Sequence, residues 1–278
     1  MVQTKPQRIK PTEIRQKTVR NVRKVVVKIG SSFLVAGGRG ISQKALQGLG
    51  SAIAGLRRQK IRVILVSSGA IAAGMHHMGQ KRRPKKMPEL QACAAVGQPI
   101  LMQSYQKAFG TRLSVAQMLL TAEDFNDHIR FRNAKHTLNE LLRNGVVPIV
   151  NENDTVADAE IRVGDNDNLA AQVAVLANAD LLILLTDQDG FYTADPKTHK
   201  SARRIPVVES LNKRTMSLAS GTSGETSVGG MRTKLEAARH AGRARIPTIV
   251  AHGGIRTILQ NVLAGRDVGT LFLPSGMK

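Results

Sequence analysis

Five short aliphatic runs punctuate the chain: KVVVKI (24–29), IRVILV (61–66), VVPIV (146–150), LLILLT (181–186) and IPTIVA (246–251). None alternates apolar with polar positions, the pattern expected of strands buried on both faces. Between them lie stretches of helical periodicity: SQKALQGLGSAIAGLRRQ, ELQACAAVGQPILMQSYQKAF, RNAKHTLNELLRN, NLAAQVAVLANA and MRTKLEAARHAGRA. Strand–helix alternation of this kind predicts an α/β fold, a three-layer αβα sandwich with a mainly parallel central sheet. VAGGRG (35–40) reads as a hairpin tip, because its glycines tolerate positive φ. No internal repeat is visible, and no linker divides residues 25–275. The expected organisation is one domain over 23–275, preceded by a flexible basic extension over 1–22.

The residues at the carboxyl end of each apolar run are more telling. The first run leads into Gly30-Ser31-Ser32 and the second into Ser67-Ser68-Gly69-Ala70. The third leads into Asn151-Glu152-Asn153-Asp154, and the fourth into Asp187-Gln188-Asp189-Gly190. In a parallel sheet these carboxyl ends share one edge, where open α/β sheets bind their ligands. Each cluster alone would pass as turn or capping residues. Together they predict a shared site.

Charge narrows the reading. The 278 residues hold 41 Lys/Arg against 20 Asp/Glu, a formal charge of +21. Residues 1–24 contribute +7 and KRRPKK (81–86) another +5, so 12 of the 21 charges sit in a tail and a loop. Tryptophan is absent and aromatics are 3% of the chain, which leaves few platforms for stacking bases. A basic nucleic-acid-binding protein is the competing class, and this charge distribution disfavours it. The N-terminus is Arg-rich and acid-poor but short of Ser, which argues against an organellar presequence. No apolar run is long enough to span a bilayer. With Cys93 as the only cysteine, no intrachain disulfide can form, and a cytoplasmic setting is the expectation. Cys93 itself reads as inert core.

The acids are concentrated where the bases are not. Residues 152–189 hold nine Asp/Glu and one basic residue, Arg162. Within them, GDNDN (164–168) sets two carboxylates and two carboxamides immediately before a helical pattern. Carboxylates so grouped can orient lysines, hold magnesium or take a substrate ammonium. Lys28 lies one residue from the end of a buried strand, a costly place unless the charge is paired or used. Lys234 closes VGGMRTK (228–234) in the first turn of a predicted helix, where its charge opposes the dipole unless an anion lies nearby. Glycines and a helix start suit phosphate oxygens. There is no G-x-x-x-x-G-K-[ST] run and no H-R-D or D-F-G set, so P-loop enzymes and protein kinases fit poorly.

The motifs VVVKIGSS, VSSGAIAAG, VPIVNENDTVA, IRVGDNDNLAA, LLTDQDGFYTADP, GGMRTKLEAA and VGTLF together resemble, in order and spacing, the amino-acid kinase family. The likeness covers about residues 22–273 and is nearest to the members that phosphorylate glutamate on its side chain. It implies an amino-acid kinase-like fold and transfer of the ATP γ-phosphoryl to the side-chain carboxylate of L-glutamate, with Mg²⁺ required. It implies that Lys28 and Lys234 bear on the phosphates and that Asp167 orients both. Ser68, Gly69, Asp154 and Asn166 would bind glutamate. Lys28, Gly30, Thr186, Asp187, Val228, Gly229, Gly230, Met231, Arg232, Thr233 and Lys234 would bind the nucleotide. No metal ligand can be assigned. A carboxylate nucleophile is already ionised at neutral pH, so no general base is needed, and His76, His77, His128 and His136 read as surface or packing residues.

The resemblance also implies proline as a feedback inhibitor, a homo-oligomer, and a separate glutamyl phosphate reductase to consume the labile product. The chain stops shortly after VGTLF, so no C-terminal RNA-binding-like (PUA) domain of the sort many relatives carry is expected, nor a fused reductase. The alternative acceptors within the family are acetylglutamate, aspartate and carbamate.

Overall fold

The computed structural model describes residues 10–35, 40–157, 166–220, 230–254, 257–274 and 276. Its centre is an eight-stranded sheet in the order β3-β4-β2-β1-β5-β7-β8-β6. The strands are β1 (Lys24–Ile29), β2 (Arg62–Ser67), β3 (Val115–Leu120), β4 (Val147–Glu152), β5 (Leu181–Thr186), β6 (Val207–Val208), β7 (Thr248–His252) and β8 (Thr270–Phe272). Every neighbouring pair is parallel except β7 with β8.

Side-chain alternation along the strands builds the two outer layers. Val25, Val27 and Ile29 of β1 face a core shared with α3 (Gln43–Arg58), α5 (Met87–Phe109) and α11 (Ile258–Leu263). Val26, between them, faces the opposite core, formed with α7 (His128–Arg143), α8 (Asn166–Leu176), α9 (Lys213–Ser220) and α10 (Met231–Arg243). The three-layer, mainly parallel arrangement is therefore as expected. A smaller cluster (Ile71, Leu90, Cys93, Ala94) joins α4 (Ala70–His77) to α5. These two helices touch backbone to backbone. A Cβ on Gly97 would lie 1.8 Å from the Ala70 carbonyl oxygen, and one on Gly74 1.8 Å from that of Cys93.

The expectation of a free basic tail over 1–22 fails from residue 10 onward. Pro11–Val19 is a helix, α1, and Val19 and Val22 are buried in the core. Arg15 is 1% exposed, with its guanidinium donating to the carbonyls of Val268 (2.8 Å), Pro206 (2.7 Å) and Gly269 (2.6 Å). Burial lowers its pKa to about 10, with Asp267 opposing and Arg204 adding to the effect. The sequence shows only a polar segment here, because the groups that satisfy Arg15 come from the far end of the chain.

Strand β3 was also unforeseen. VAQMLL pairs with β4 alone and is only partly buried, so it lacks the continuous apolar signature of the inner strands. Of the 35–40 hairpin tip, residues 36–39 lie outside the described residues; Val35 bridges Ile41 in antiparallel fashion. No helix among the described residues is long and apolar enough to cross a membrane.

Candidate active site

The carboxyl ends of the parallel strands do meet along one edge. Ser68 N donates to the carbonyl of Ile29, Asn153 N to that of Leu120, and Gly253 N to that of Thr186. Lys28 is opposite Val66 on one side and Leu184 on the other, which sets Gly30 between the ends of β2 and β5.

Strand alternation points Lys28 to the same face as Val26, where α8 and α10 lie. Its Nζ is 2.6 Å from Asp167 Oδ1, and Lys234 Nζ is 3.0 Å from Asp167 Oδ2. All three side chains are buried, Asp167 completely. Thr233 Oγ1 lies 2.9 Å from Asp167 Oδ2 and 2.8 Å from the Gly230 carbonyl, so its proton serves one of them at a time. Burial alone would push the Asp167 carboxyl up; the Lys28 and then the Lys234 ammonium outweigh it and hold the group below the usual carboxylate range. One carboxylate thus supports two ammonium groups. Without it, two like charges would face each other in a dry interior, which is strongly unfavourable.

A second set of residues has spare capacity. Ser68, Asp154 and Asn166 are all buried, and among the described residues Ser68 Oγ, Asp154 Oδ1 and Asn166 Oδ1 have no hydrogen-bond partner. Buried polar atoms are seldom left so, and each costs on the order of 1–3 kcal/mol unless something binds it. Burial raises the Asp154 carboxyl to about 6, with the Arg83 guanidinium partly opposing the shift. The 81–86 loop therefore brings one of its cations within electrostatic reach of this set. Gly69 has φ 108°, a left-handed conformation that turns the chain from β2 into α4 and that other residues resist.

The predicted nucleotide residues sort less evenly. Gly30 has an ordinary φ of −74°, and a Cβ there would make only ordinary contacts, 3.7 Å from Ser32 Oγ and 4.0 Å from Lys28 Nζ, so the fold itself does not demand a glycine. Thr186 sits beside Gly30 at the end of β5, with Oγ1 donating to Asp187 Oδ1 at 3.0 Å. Gly230 precedes α10, whose start no side chain caps. The Met231 side chain is part of the core, and Arg232 faces solvent in a 3.1 Å ion pair with Glu236. What these two residues offer a ligand is the main chain of a helix start. Val228, Gly229, Gly164 and Asp165 lie outside the described residues. His76, His77, His128 and His136 are all exposed, and Cys93 is buried. Among the described residues no three His, Cys, Asp or Glu side chains converge on a metal-binding group.

Sequence reading missed a chain of side-chain amides behind Asn166. Asn166 Nδ2 donates to Asn151 Oδ1 (2.7 Å) and to the Ser67 carbonyl (2.6 Å). Asn151 Nδ2 donates to Gln98 Oε1 (2.8 Å), and Gln98 Nε2 to Gln117 Oε1 (2.9 Å). The available signal was Gln98 itself, a polar residue set among the apolar positions of α5 just before Pro99.

Comparison with known proteins agrees with this arrangement. The description "Amino acid kinase family" matches residues 23–252. The chain belongs to the amino acid kinase family. It is 50% identical over 262 residues to the glutamate 5-kinase of Carboxydothermus hydrogenoformans, covering 94% of this chain and 70% of that one. The glutamate 5-kinase of Thermus thermophilus is 48% identical over 253 residues, covering 91% and 68%. UMP kinase from Bacillus anthracis superposes with a TM-score of 0.60 at 20% identity, covering 91% of this chain and 96% of that one, a likeness of fold. The expectation of an amino acid kinase enzyme, of the glutamate 5-kinase kind, is thereby borne out.

Proposed function

We propose that this chain transfers the γ-phosphoryl group of ATP to the side-chain carboxylate of L-glutamate, giving L-glutamyl 5-phosphate, the first step of proline biosynthesis. The observation that carries this reading is the Lys28–Asp167–Lys234 cluster, set on the same sheet edge as the Ser68, Asp154 and Asn166 oxygens that have no partner among the described residues. The glutamate 5-kinase relatives supply the acceptor.

In this mechanism the two ammonium groups stabilise charge on the equatorial oxygens of the moving phosphoryl group. Asp167 fixes both before substrate arrives, so little reorganisation remains for the transition state. The acceptor carboxylate attacks in its ionised form, and no proton has to be removed first. Ser68 and the main chain at Gly69 hold the amino acid, with Asp154 and Asn166 on its ammonium group. Gly30, Thr186, Asp187 and the 228–234 segment hold the nucleotide. Magnesium accompanying the nucleotide would supply further positive charge against the phosphate oxygens, and no residue of the chain is assigned to hold it. The acyl phosphate product would be consumed by a reductase.

The test is turnover with Mg-ATP and L-glutamate, the product trapped by hydroxylamine as the hydroxamate. Lys234→Ala and Asp167→Ala should each lower kcat by about 10²-fold or more, the scale set by removing one transition-state donor. Acetylglutamate, aspartate and carbamate are offered in parallel. Strong turnover with one of these and none with L-glutamate rejects the proposal.

A further inference from the structure

The amide chain behind Asn166 has a direction. The Ser67 main-chain oxygen can only accept, so the Asn166 side chain must turn its NH₂ toward it. The second hydrogen of that NH₂ goes to Asn151 Oδ1, which leaves Asn151 with its own NH₂ pointing outward to Gln98 Oε1. Gln98 in turn donates to Gln117 on the edge strand. One fixed carbonyl therefore polarises four side chains in series, and every N–H points away from the site. What remains at the inner end is an oxygen: Asn166 Oδ1, buried and without a partner among the described residues. The reverse orientation of Asn166 would set its oxygen against the Ser67 carbonyl and is excluded by repulsion. Tyr105, farther along α5, ties down the same turn, with its hydroxyl 2.8 Å from Ser67 Oγ.

We infer that Gln98 and Gln117, neither of them placed in the substrate set, are positioning residues: the Ser67 carbonyl sets which way Asn166 faces, and the two glutamines hold Asn151, and through it the Asn166 side chain, at the place where its oxygen meets the α-ammonium group of the acceptor. This deepens the glutamate reading and rests on it. Asn166 Oδ1 and Asp154 Oδ1 are two bare oxygens, and an ammonium brings three N–H donors and the matching charge. An acylated nitrogen brings one donor and no charge, and a plain dicarboxylic acid brings neither.

The experiment compares L-glutamate with glutarate, the same dicarboxylate lacking the amine. KM for glutamate, Ki for glutarate as a competitor, KM for ATP and Tm are measured for the wild type, Gln98→Leu, Gln98→Glu and Gln117→Leu. Gln98→Leu leaves Asn151 without its acceptor and should raise the glutamate KM about tenfold, the usual effect of one lost buried hydrogen bond, with glutarate and ATP within about twofold. Gln117→Leu, at an exposed position that folding tolerates, should move the glutamate KM in the same direction by a smaller factor. Gln98→Glu keeps the acceptor and should return KM to within about threefold of the wild type. Equal losses for glutamate and glutarate, or an unchanged glutamate KM in Gln98→Leu, overturn the inference. Should Gln98→Leu fail to fold, an unchanged KM in Gln117→Leu overturns it instead. A wild type that does not turn over L-glutamate at all refutes the underlying reading, and the inference with it.

Discussion

Asp154→Asn should stabilise the protein at neutral pH and abolish one pH dependence of substrate binding. In the unfolded chain this carboxyl titrates near its ordinary 3.8; in the folded protein burial raises it to about 6. The folded state thus binds the proton more tightly than the unfolded one. The associated stability is fully present below about pH 4 and is lost as pH rises through about 6. Moving a carboxyl over that interval corresponds to at most about 3 kcal/mol, and the Arg83 cation already offsets part of the burial. At about 2–4 °C per kcal/mol for a domain of this size, Asp154→Asn should melt several degrees above the wild type at pH 8 and close to it at pH 4. Binding an ammonium demands the ionised form, so the wild-type glutamate KM should fall about tenfold from pH 5 to pH 7. Asp154→Asn should bind glutamate weakly and show no such dependence. The measurements are thermal melts without ligand at the two pH values and initial rates across the range. A variant melting below the wild type at pH 8, or a flat wild-type KM between pH 5 and 7, would refute the reasoning.

Two further outcomes concern the scaffold. Gly97→Ala sets a Cβ against the Ala70 carbonyl, so α4 and α5 must separate; a loss of about 3 kcal/mol or more is expected in denaturant unfolding, together with a raised glutamate KM because Ser68 and Gly69 lead directly into α4. Arg15→Ala removes the donors to three main-chain carbonyls and should cost about 3 kcal/mol or more by the same assay, while both KM values stay near wild type because the Arg15 contacts involve none of the site residues named above.

How far the sequence foretold this depends on whether a residue's reason lies near it in the chain. Lys28 stood out because the strand around it is apolar, and Lys234 because a cation opens a helix. Each anomaly is local, and each resolves on the same distant carboxylate. The inner strands were legible for the same reason, burial on both faces leaving a continuous apolar run. Arg15 was not legible: a buried arginine in a polar helix looks like any surface arginine until the carbonyls of residues 206, 268 and 269 are placed around it. Nor was the amide chain, whose members come from α5, β3, β4 and α8 and whose meaning lies in the order of donation.

Lys28 is made with the first strand and Lys234 only with the last long helix, so synthesis itself sets when the proposed phosphoryl site can exist. A nascent chain still short of α10 has its early strands and helices but only one of the two cations that Asp167 gathers. Under the proposed mechanism it would hold no competent ATP-consuming centre on the ribosome, and a fragment truncated before residue 231 should be inert for the same reason, however well its remaining sheet folded.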